Sequence, residues 1–306
     1  MPSIEQSAGA VLMIRPSRFF PNPETAADNS FQQTGLGQDE AELTENARRE
    51  FDRAVEQLRG HGVTVHVMDD TASPEKPDAV FPNNWLSTHH DGRIALYPML
   101  SPARRLERRP EVLEELRRHY RVGEVVDYTA FEKSQQYLEG TGSLVLDHLN
   151  RVAYVSLSQR TQPAPLQRFC ADFNFEPICF GSADAEGSTI YHTNVMMCLA
   201  THFALLGADC IAEEMERETV RRHLTQSGRT VVELTQAQIA EFAGNAIELQ
   251  NEREKLLVLS ARGRASLTRE QIQAIEQHAR IVPLQLPTIE LAGGSARCML
   301  ATIHLP

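Results

Sequence analysis

Gly293-Gly294-Ser295-Ala296-Arg297-Cys298-Met299-Leu300 is the stretch whose reading decides the fold, because four other segments repeat its plan. They are Phe81-Pro82-Asn83-Asn84-Trp85-Leu86, Gly140-Thr141-Gly142-Ser143-Leu144-Val145-Leu146, Tyr191-His192-Thr193-Asn194-Val195-Met196-Met197 and Ala243-Gly244-Asn245-Ala246-Ile247-Glu248-Leu249. Each places small or polar residues before an apolar, strand-like run. The starts lie roughly 50 to 60 residues apart, the spacing of repeated supersecondary units. Turn signals follow several runs: His90-Asp91-Gly92-Arg93, His148-Leu149-Asn150-Arg151 and Asn251-Glu252-Arg253-Glu254 each precede a second apolar run, which predicts hairpins.

The fifth run has no partner after it, and Gly9-Ala10-Val11-Leu12-Met13-Ile14-Arg15-Pro16 has no unit before it, so the two can be halves of one unit that closes a ring. Helical patterns are expected over 39–59, 109–119, 165–173, 213–224 and 268–280, the last opened by the capping box Thr268-Arg269-Glu270-Gln271. The expected fold class is therefore α/β, with hairpin and helix alternating five times in one domain over residues 1–306. The competing reading is an ordinary mixed α/β sheet with accidental likeness between segments. Asn84, Glu139, His192, Asn245 and Cys298 weigh against it, since a ring would gather all five at one end, and they form a reactive set.

Composition narrows the function. Of 306 residues, 42% are hydrophobic and 23% charged, which suits a packed globular core. Forty-one acidic against 30 basic residues give a formal charge of −11, which repels a phosphate backbone and an anionic membrane surface. The arginine pairs 104–105, 108–109 and 117–118 alternate with glutamates, as on a solvated helix face. Five cysteines with no CxxC pair argue against a disulfide framework or a zinc ribbon and for reduced thiols. The N-terminal MPSIEQSAGAVLMIRP carries an apolar run of only about five residues with no basic region before it, so neither a signal peptide nor a membrane span is expected and the reading is cytoplasmic.

A thiol attacks as thiolate, and the double glycine before Cys298 allows tight backbone approach to a developing charge. A cysteine in an apolar strand is more often a small buried hydrophobe, and the glycines and Arg297 count against that reading. His192 can serve as general acid to a departing amine and as general base to water, and Glu139 can orient its imidazole. Their structural alternatives are a satisfied histidine and a solvated loop carboxylate.

Leu138-Glu139-Gly140-Thr141-Gly142-Ser143, His192-Thr193-Asn194 and Gly293-Gly294-Ser295-Ala296-Arg297-Cys298-Met299 resemble the three signature stretches of the guanidino-group-modifying superfamily. That group includes arginine deiminases, dimethylarginine dimethylaminohydrolases, amidinotransferases and arginine dihydrolases. The resemblance spans the whole chain, with Glu, His and Cys in the family's order. It implies a five-bladed α/β propeller, the pentein fold, forming one amidinotransferase-like catalytic domain. It also implies that Cys298 attacks the central carbon of the substrate's terminal group, that His192 protonates the leaving ammonia and then activates water, and that Glu139 orients His192. No metal or organic cofactor is implied.

One departure sharpens the substrate. Deiminases of this group hold a guanidinium between aspartates in Phe-x-x-Asp and His-x-Asp, and here Asn84 and Asn194 occupy both places. Asparagine cannot supply the missing charge, but its NH2 can donate to a neutral ureido oxygen as that becomes an oxyanion. The pattern, including Asn22-Pro23-Glu24-Thr25, is most similar to citrulline-utilisation hydrolases, which yield ornithine, ammonia and carbon dioxide. By the same resemblance Arg105, or failing it Arg104, grips the substrate α-carboxylate. The loop from Asn22 to Gln32 is long and polar for a compact domain, as lids and binding elements commonly are, and Asn22 and Asn29 are its expected substrate contacts. The expected partner is a small amino acid, with no nucleic acid and no membrane, and a homodimer as the candidate assembly. A deiminase-type hydrolase, an amidinotransferase passing the group to an amine, and a silent arginine- or citrulline-binding protein are the alternatives.

Overall fold

A computed structural model describes residues 4–33, 37 and 39–306; Met1 to Ser3 of the N-terminal stretch lie outside the described residues. Among the described residues fifteen short strands fall into five three-stranded sheets of one topology. In the second unit β3 (Leu86–Thr88) and β4 (Arg93–Leu96) form an antiparallel hairpin, the helix Pro110–His119 crosses over, and β5 (Glu124–Asp127) returns parallel to β4. The same hairpin, crossover and parallel return recur three times more. The strands are β6 (Val145–Asp147), β7 (Val152–Ser156) and β8 (Glu176–Phe180), then β9 (Met197–Leu199), β10 (Phe203–Leu206) and β11 (Thr230–Glu233), then β12 (Ile247–Gln250), β13 (Lys255–Ser260) and β14 (Arg280–Leu284).

The remaining sheet joins distant parts of the chain. β15 (Ala301–Ile303) pairs antiparallel with β1 (Ala10–Arg15), Ala10 opposite Ile303, and β1 pairs parallel with β2 (Thr64–Asp69) across the helix Glu40–Gly60. That helix buries Leu43, Ala47, Phe51, Ala54, Val55 and Leu58, the three- and four-residue spacing of one face. The first strand of each unit faces inward. β15 packs on β3, β6 on β9 and β9 on β12, while Ala8 bridges to Leu249 within β12. Sheets thus share their cores: Tyr154, Met197, Leu205 and Leu257, from three different sheets, belong to one buried cluster.

The capping box of Thr268 and Gln271 forms as the sequence indicates, but its helix ends at Glu276 and Arg280 already belongs to β14. A larger difference concerns the repeated segments. Their first residues are short helical turns ahead of the strands: Pro82–Asn84, Gly140–Ser143 and Thr193–Met196 are helical, and Cys298 closes a turn onto the Ser295 carbonyl at 3.0 Å. Proline at the first position and Gly140 at φ 46° favour a tight turn over an extended start. Among the described residues no helix is long and apolar enough to cross a membrane.

One buried ion pair ties two units together. Arg229, just before β11, donates from Nη1 to Asp147 Oδ2 at the end of β6 at 2.6 Å, and both side chains are 1% exposed. Removing one partner leaves an uncompensated buried charge, so Asp147→Ala is expected to lower unfolding free energy by about 3–5 kcal/mol. Loss of the surface pair between Arg221 and Glu233 should cost at most about 1 kcal/mol. Chemical denaturation of the two variants side by side checks the difference.

Candidate active site

The helical turns bring their polar residues to one small cavity, whose walls include Asn84, His192 and Cys298. Cys298 is buried. Its Sγ accepts an N–H bond from Asn245 Nδ2 at 3.2 Å and lies 3.6 Å from Asn194 Nδ2. The orientation of the Asn245 amide follows from its other bonds: Nδ2 also donates to the Asn194 carbonyl at 3.1 Å, and Oδ1 accepts from the Arg297 N–H at 3.0 Å. Neutral amide donors therefore face the sulfur, with no carboxylate among its hydrogen-bond partners in the described residues.

Glu139 sits behind His192. Its Oε2 lies 2.9 Å from His192 Nε2, and its Oε1 accepts the Leu100 N–H at 3.0 Å. Burial alone would raise this carboxyl. The Arg160 guanidinium at 3.6 Å, the His192 bond and Arg104 at 3.9 Å overcome that and hold it at about 2. An ionised carboxylate only accepts, so Nε2 of His192 carries the proton and Nδ1 is the free acceptor. Burial lowers His192 from the ordinary imidazole range, against the opposing pull of Glu139, which favours the neutral ring near neutral pH.

Asn84 has one occupied and one free end. Oδ1 accepts from Arg104 Nη1 at 2.8 Å, which fixes the amide, and the buried Nδ2 has no partner. Arg104 is itself engaged, with bonds to Glu107 at 2.9 and 3.0 Å and to the Phe81 carbonyl at 3.2 Å. Burial pushes Glu107 up to about 7 despite that pairing. Asp78 also lines the cavity, 3.7 Å from Arg104 Nε, with its carboxyl raised by burial. Arg160 completes the wall; its guanidinium lies 4.7 Å over the Tyr191 ring and pairs with Asp28 at 2.6 Å.

The segment around residues 22–32 roofs the cavity. Thr25 and Asn29 line it, and Asn29 Nδ2 donates to the Ala292 carbonyl at 3.3 Å. Gly293 adopts φ 80°, and a Cβ there would stand 2.4 Å from Asn29 Nδ2, so glycine is required on both counts. Asn22 lies behind the wall and donates to Asp78 at 2.8 Å.

The structure thus brings together Cys298, His192, Glu139, Asn84, Asn194, Arg104 and Asn29. It turns Arg105 away: that side chain is partly exposed and donates to the Met99 and Leu100 carbonyls at 2.9 and 3.1 Å. The Ser101 cap opens a single helical turn, Pro102–Arg105, that points Arg104 inward. Asp78, Arg160 and the bond from Asn245 to sulfur escaped the sequence reading. Asp78 and Arg160 belong to no motif, and Asn245 showed as one of the five residues gathered at one end of the ring but not as a partner of the sulfur.

Residues 15–305 match the family described as N,N dimethylarginine dimethylhydrolase, eukaryotic. No curated protein is a match. The N-terminal domain of ArgZ, an arginine dihydrolase from the ornithine-ammonia cycle in cyanobacteria, solved as a cysteine-to-serine mutant bound to substrate, is similar at TM-score 0.74 and 16% identity, with 96% of this chain and 97% of that one covered. An asparagine-to-serine form of the same domain, covalently bonded to a reaction intermediate, is similar at TM-score 0.74 and 16% identity over 97% and 99%. A dimethylarginine dimethylaminohydrolase, a histidine-to-glycine variant in an adduct with S-methyl-L-thiocitrulline, reaches TM-score 0.68 at 14% identity over 97% and 100%. At these identities the likeness is one of fold.

Gly142 sits where His192 and Asn84 cross the wall. A Cβ there would meet Asn84 Nδ2 at 2.3 Å and His192 Nδ1 at 2.7 Å. Both side chains must move, and a displacement of about 1 Å can cost about 10²-fold in rate. Gly142→Ala is therefore expected to lose at least about a hundredfold in kcat while its far-UV circular dichroism matches the parent; steady-state assay and spectra together check this.

Proposed function

Since the chain belongs to the N,N dimethylarginine dimethylhydrolase family, we propose that it is a cysteine hydrolase whose substrate is citrulline, giving ornithine, ammonia and carbon dioxide. The observation that carries this reading is the partnerless Nδ2 of Asn84, buried in the cavity wall with its other end fixed by Arg104. A free N–H donor in a dry site suits a neutral carbonyl oxygen and strengthens as that oxygen takes up charge. The amide donors on Cys298 agree with it, because a cationic guanidinium finds no carboxylate among the hydrogen-bond partners of the sulfur. In this reading residues 1–306 act as one cytoplasmic catalytic domain whose five sheets close as the blades of a propeller.

The steps balance as follows. The Cys298 thiol gives its proton to His192 Nδ1, and the thiolate adds to the ureido carbon, whose oxygen becomes an oxyanion held by Asn84. His192 returns the proton to the terminal nitrogen, the C–N bond breaks and ammonia leaves, forming an S-thiocarbamate with the rest of the substrate. Water, deprotonated by His192, attacks the same carbon and expels the thiolate. The resulting carbamic acid loses carbon dioxide to give ornithine. Glu139 keeps the His192 ring in one tautomer through both halves. In this reading Arg160 takes the α-carboxylate: Nε, Nη1 and Nη2 of Arg104 are all bonded within the protein, whereas Arg160 uses Nε and Nη2 on Asp28 and has no hydrogen bond from Nη1 among the described residues.

Asp78 favours a second reading. Its buried carboxyl can accept a cationic group, which would let arginine enter and pass through a citrulline-like stage, the activity printed for ArgZ. The intermediate bonded to ArgZ's asparagine-to-serine variant supports a role for an asparagine in either reaction. Citrulline, arginine and dimethylarginine supplied separately, with ornithine and ammonia measured, distinguish these. Citrulline alone yielding ornithine supports the first reading, and arginine also yielding ornithine supports the second. Ornithine from neither removes both. Asn84→Asp should lower citrulline turnover by about 10²–10³-fold, as it sets a negative charge against the oxyanion.

The pH dependence has a defined sign. A protonated imidazole cannot take the thiol proton, so kcat/KM falls as pH drops through the His192 value, which burial sets below the ordinary 6.5. Glu139→Gln removes a charge that raises His192, so its acid limb should move lower still while the maximum rate falls. A pH–rate profile of both proteins checks this, and an unmoved acid limb would exclude His192 as the titrating base.

A further inference from the structure

A second group of reactive side chains lies away from the cavity. His66, Glu115 and His119 each offer a donor atom, and all three atoms lie within 4.8 Å of one another. They come from two elements. His66 is on β2, the edge strand of its sheet, while Glu115 and His119 stand four residues apart on one face of the helix Pro110–His119. The carboxylate Oε1 of Glu115 is 3.0 Å from His119 Nε2, and the two imidazole centroids are 4.7 Å apart.

We propose that these residues form a divalent transition-metal site of the zinc class, with two imidazoles and one carboxylate as ligands and water completing the set. This donor combination is one zinc favours, whereas calcium and magnesium take all-oxygen sets. Bond lengths of about 2.0–2.2 Å bring ligand atoms to roughly 3.3 Å from one another, so Glu115 and His119 already stand at ligand spacing and His66 must close on them by at most about 1.5 Å. The side chains of Glu115 and His119 are 25% and 48% exposed, which leaves them room to do so.

One further feature agrees. The Tyr120 hydroxyl lies 2.9 Å from His66 Nε2 and holds that ring, as an outer partner commonly does for a ligating histidine. The charges facing the group are Arg118, bonded to Glu115 at 2.9 Å, and Arg59, and both oppose a cation. Metal and protons compete for the imidazoles, so affinity should fall as pH drops through the histidine range. An ion here would pin β2 to the helix of the neighbouring unit and stabilise the junction between two sheets.

Zn2+ alone is the probe, used on the full chain in a Cys298→Ala background so that the cavity thiol cannot take the metal. One Zn2+ per chain by equilibrium dialysis, a higher Tm, and at least about a tenfold weaker Kd in His119→Ala are the expected results. His66→Asn should behave alike; if it fails to fold, His119→Ala, at the exposed end of a surface helix, decides the matter. Co2+ in place of Zn2+ should give weak visible bands without a thiolate charge-transfer band. No binding, unchanged Kd in His119→Ala, or a thiolate band, as from the exposed Cys179, would each overturn the proposal.

Discussion

The centre of this molecule is a carboxylate kept ionised where no carboxylate would choose to be. Glu139 is fully buried, yet one backbone N–H, one imidazole and two guanidinium groups surround it. Those partners come from distant parts of the chain: Leu100 and Arg104 from the unit before, Arg160 from beyond β7, and His192 from the unit after. A buried negative charge is tolerated only when such partners converge, so the ionised state of Glu139 requires neighbouring units to be correctly joined. The same charge fixes the tautomer of His192, and the reactive ring is thereby coupled to the assembly of the fold.

Cys298 lives under a different regime. Its contacts are amide dipoles, from Asn245 and more distantly Asn194, and the cavity's charges are balanced in pairs around it: Arg104 with Glu107, Arg160 with Asp28. Arg297, next in sequence, is buried without a carboxylate partner among the described residues, and burial lowers it to about 10. The sulfur is therefore met by neutral amides, while the charged groups of the wall, Asp78 among them, stand further from it.

The five units could be read from sequence because each begins with residues that punctuate structure by known physics: Phe81-Pro82-Asn83, Gly140-Thr141-Gly142, Gly293-Gly294. The helical turns ahead of the strands gave no signal of their own, since a single helical turn is too short to show a 3.6-residue period. Cys298, His192 and Glu139 were legible because they stand at equivalent places in the repeat. Arg104 and Arg105 could not be told apart, because adjacent residues differ only in which side of a single turn they occupy. Asp78 and Arg160 gave no signal: the partner of Arg160 is Asp28, 132 positions away, and no local pattern encodes that pairing.

The antiparallel pairing of β15 with β1 sets the order in which the molecule can become complete. β1 can pair with β2 as soon as residues up to Asp69 are available, but its other edge has no partner until Ala301–Ile303 arrive. During synthesis that edge therefore stays open while the other four sheets form, and it offers unpaired N–H and C=O groups to any extended segment nearby. The strand that finally covers it follows Cys298 by three residues. Seating Cys298 in its cavity and covering the open edge of β1 are thus a single event.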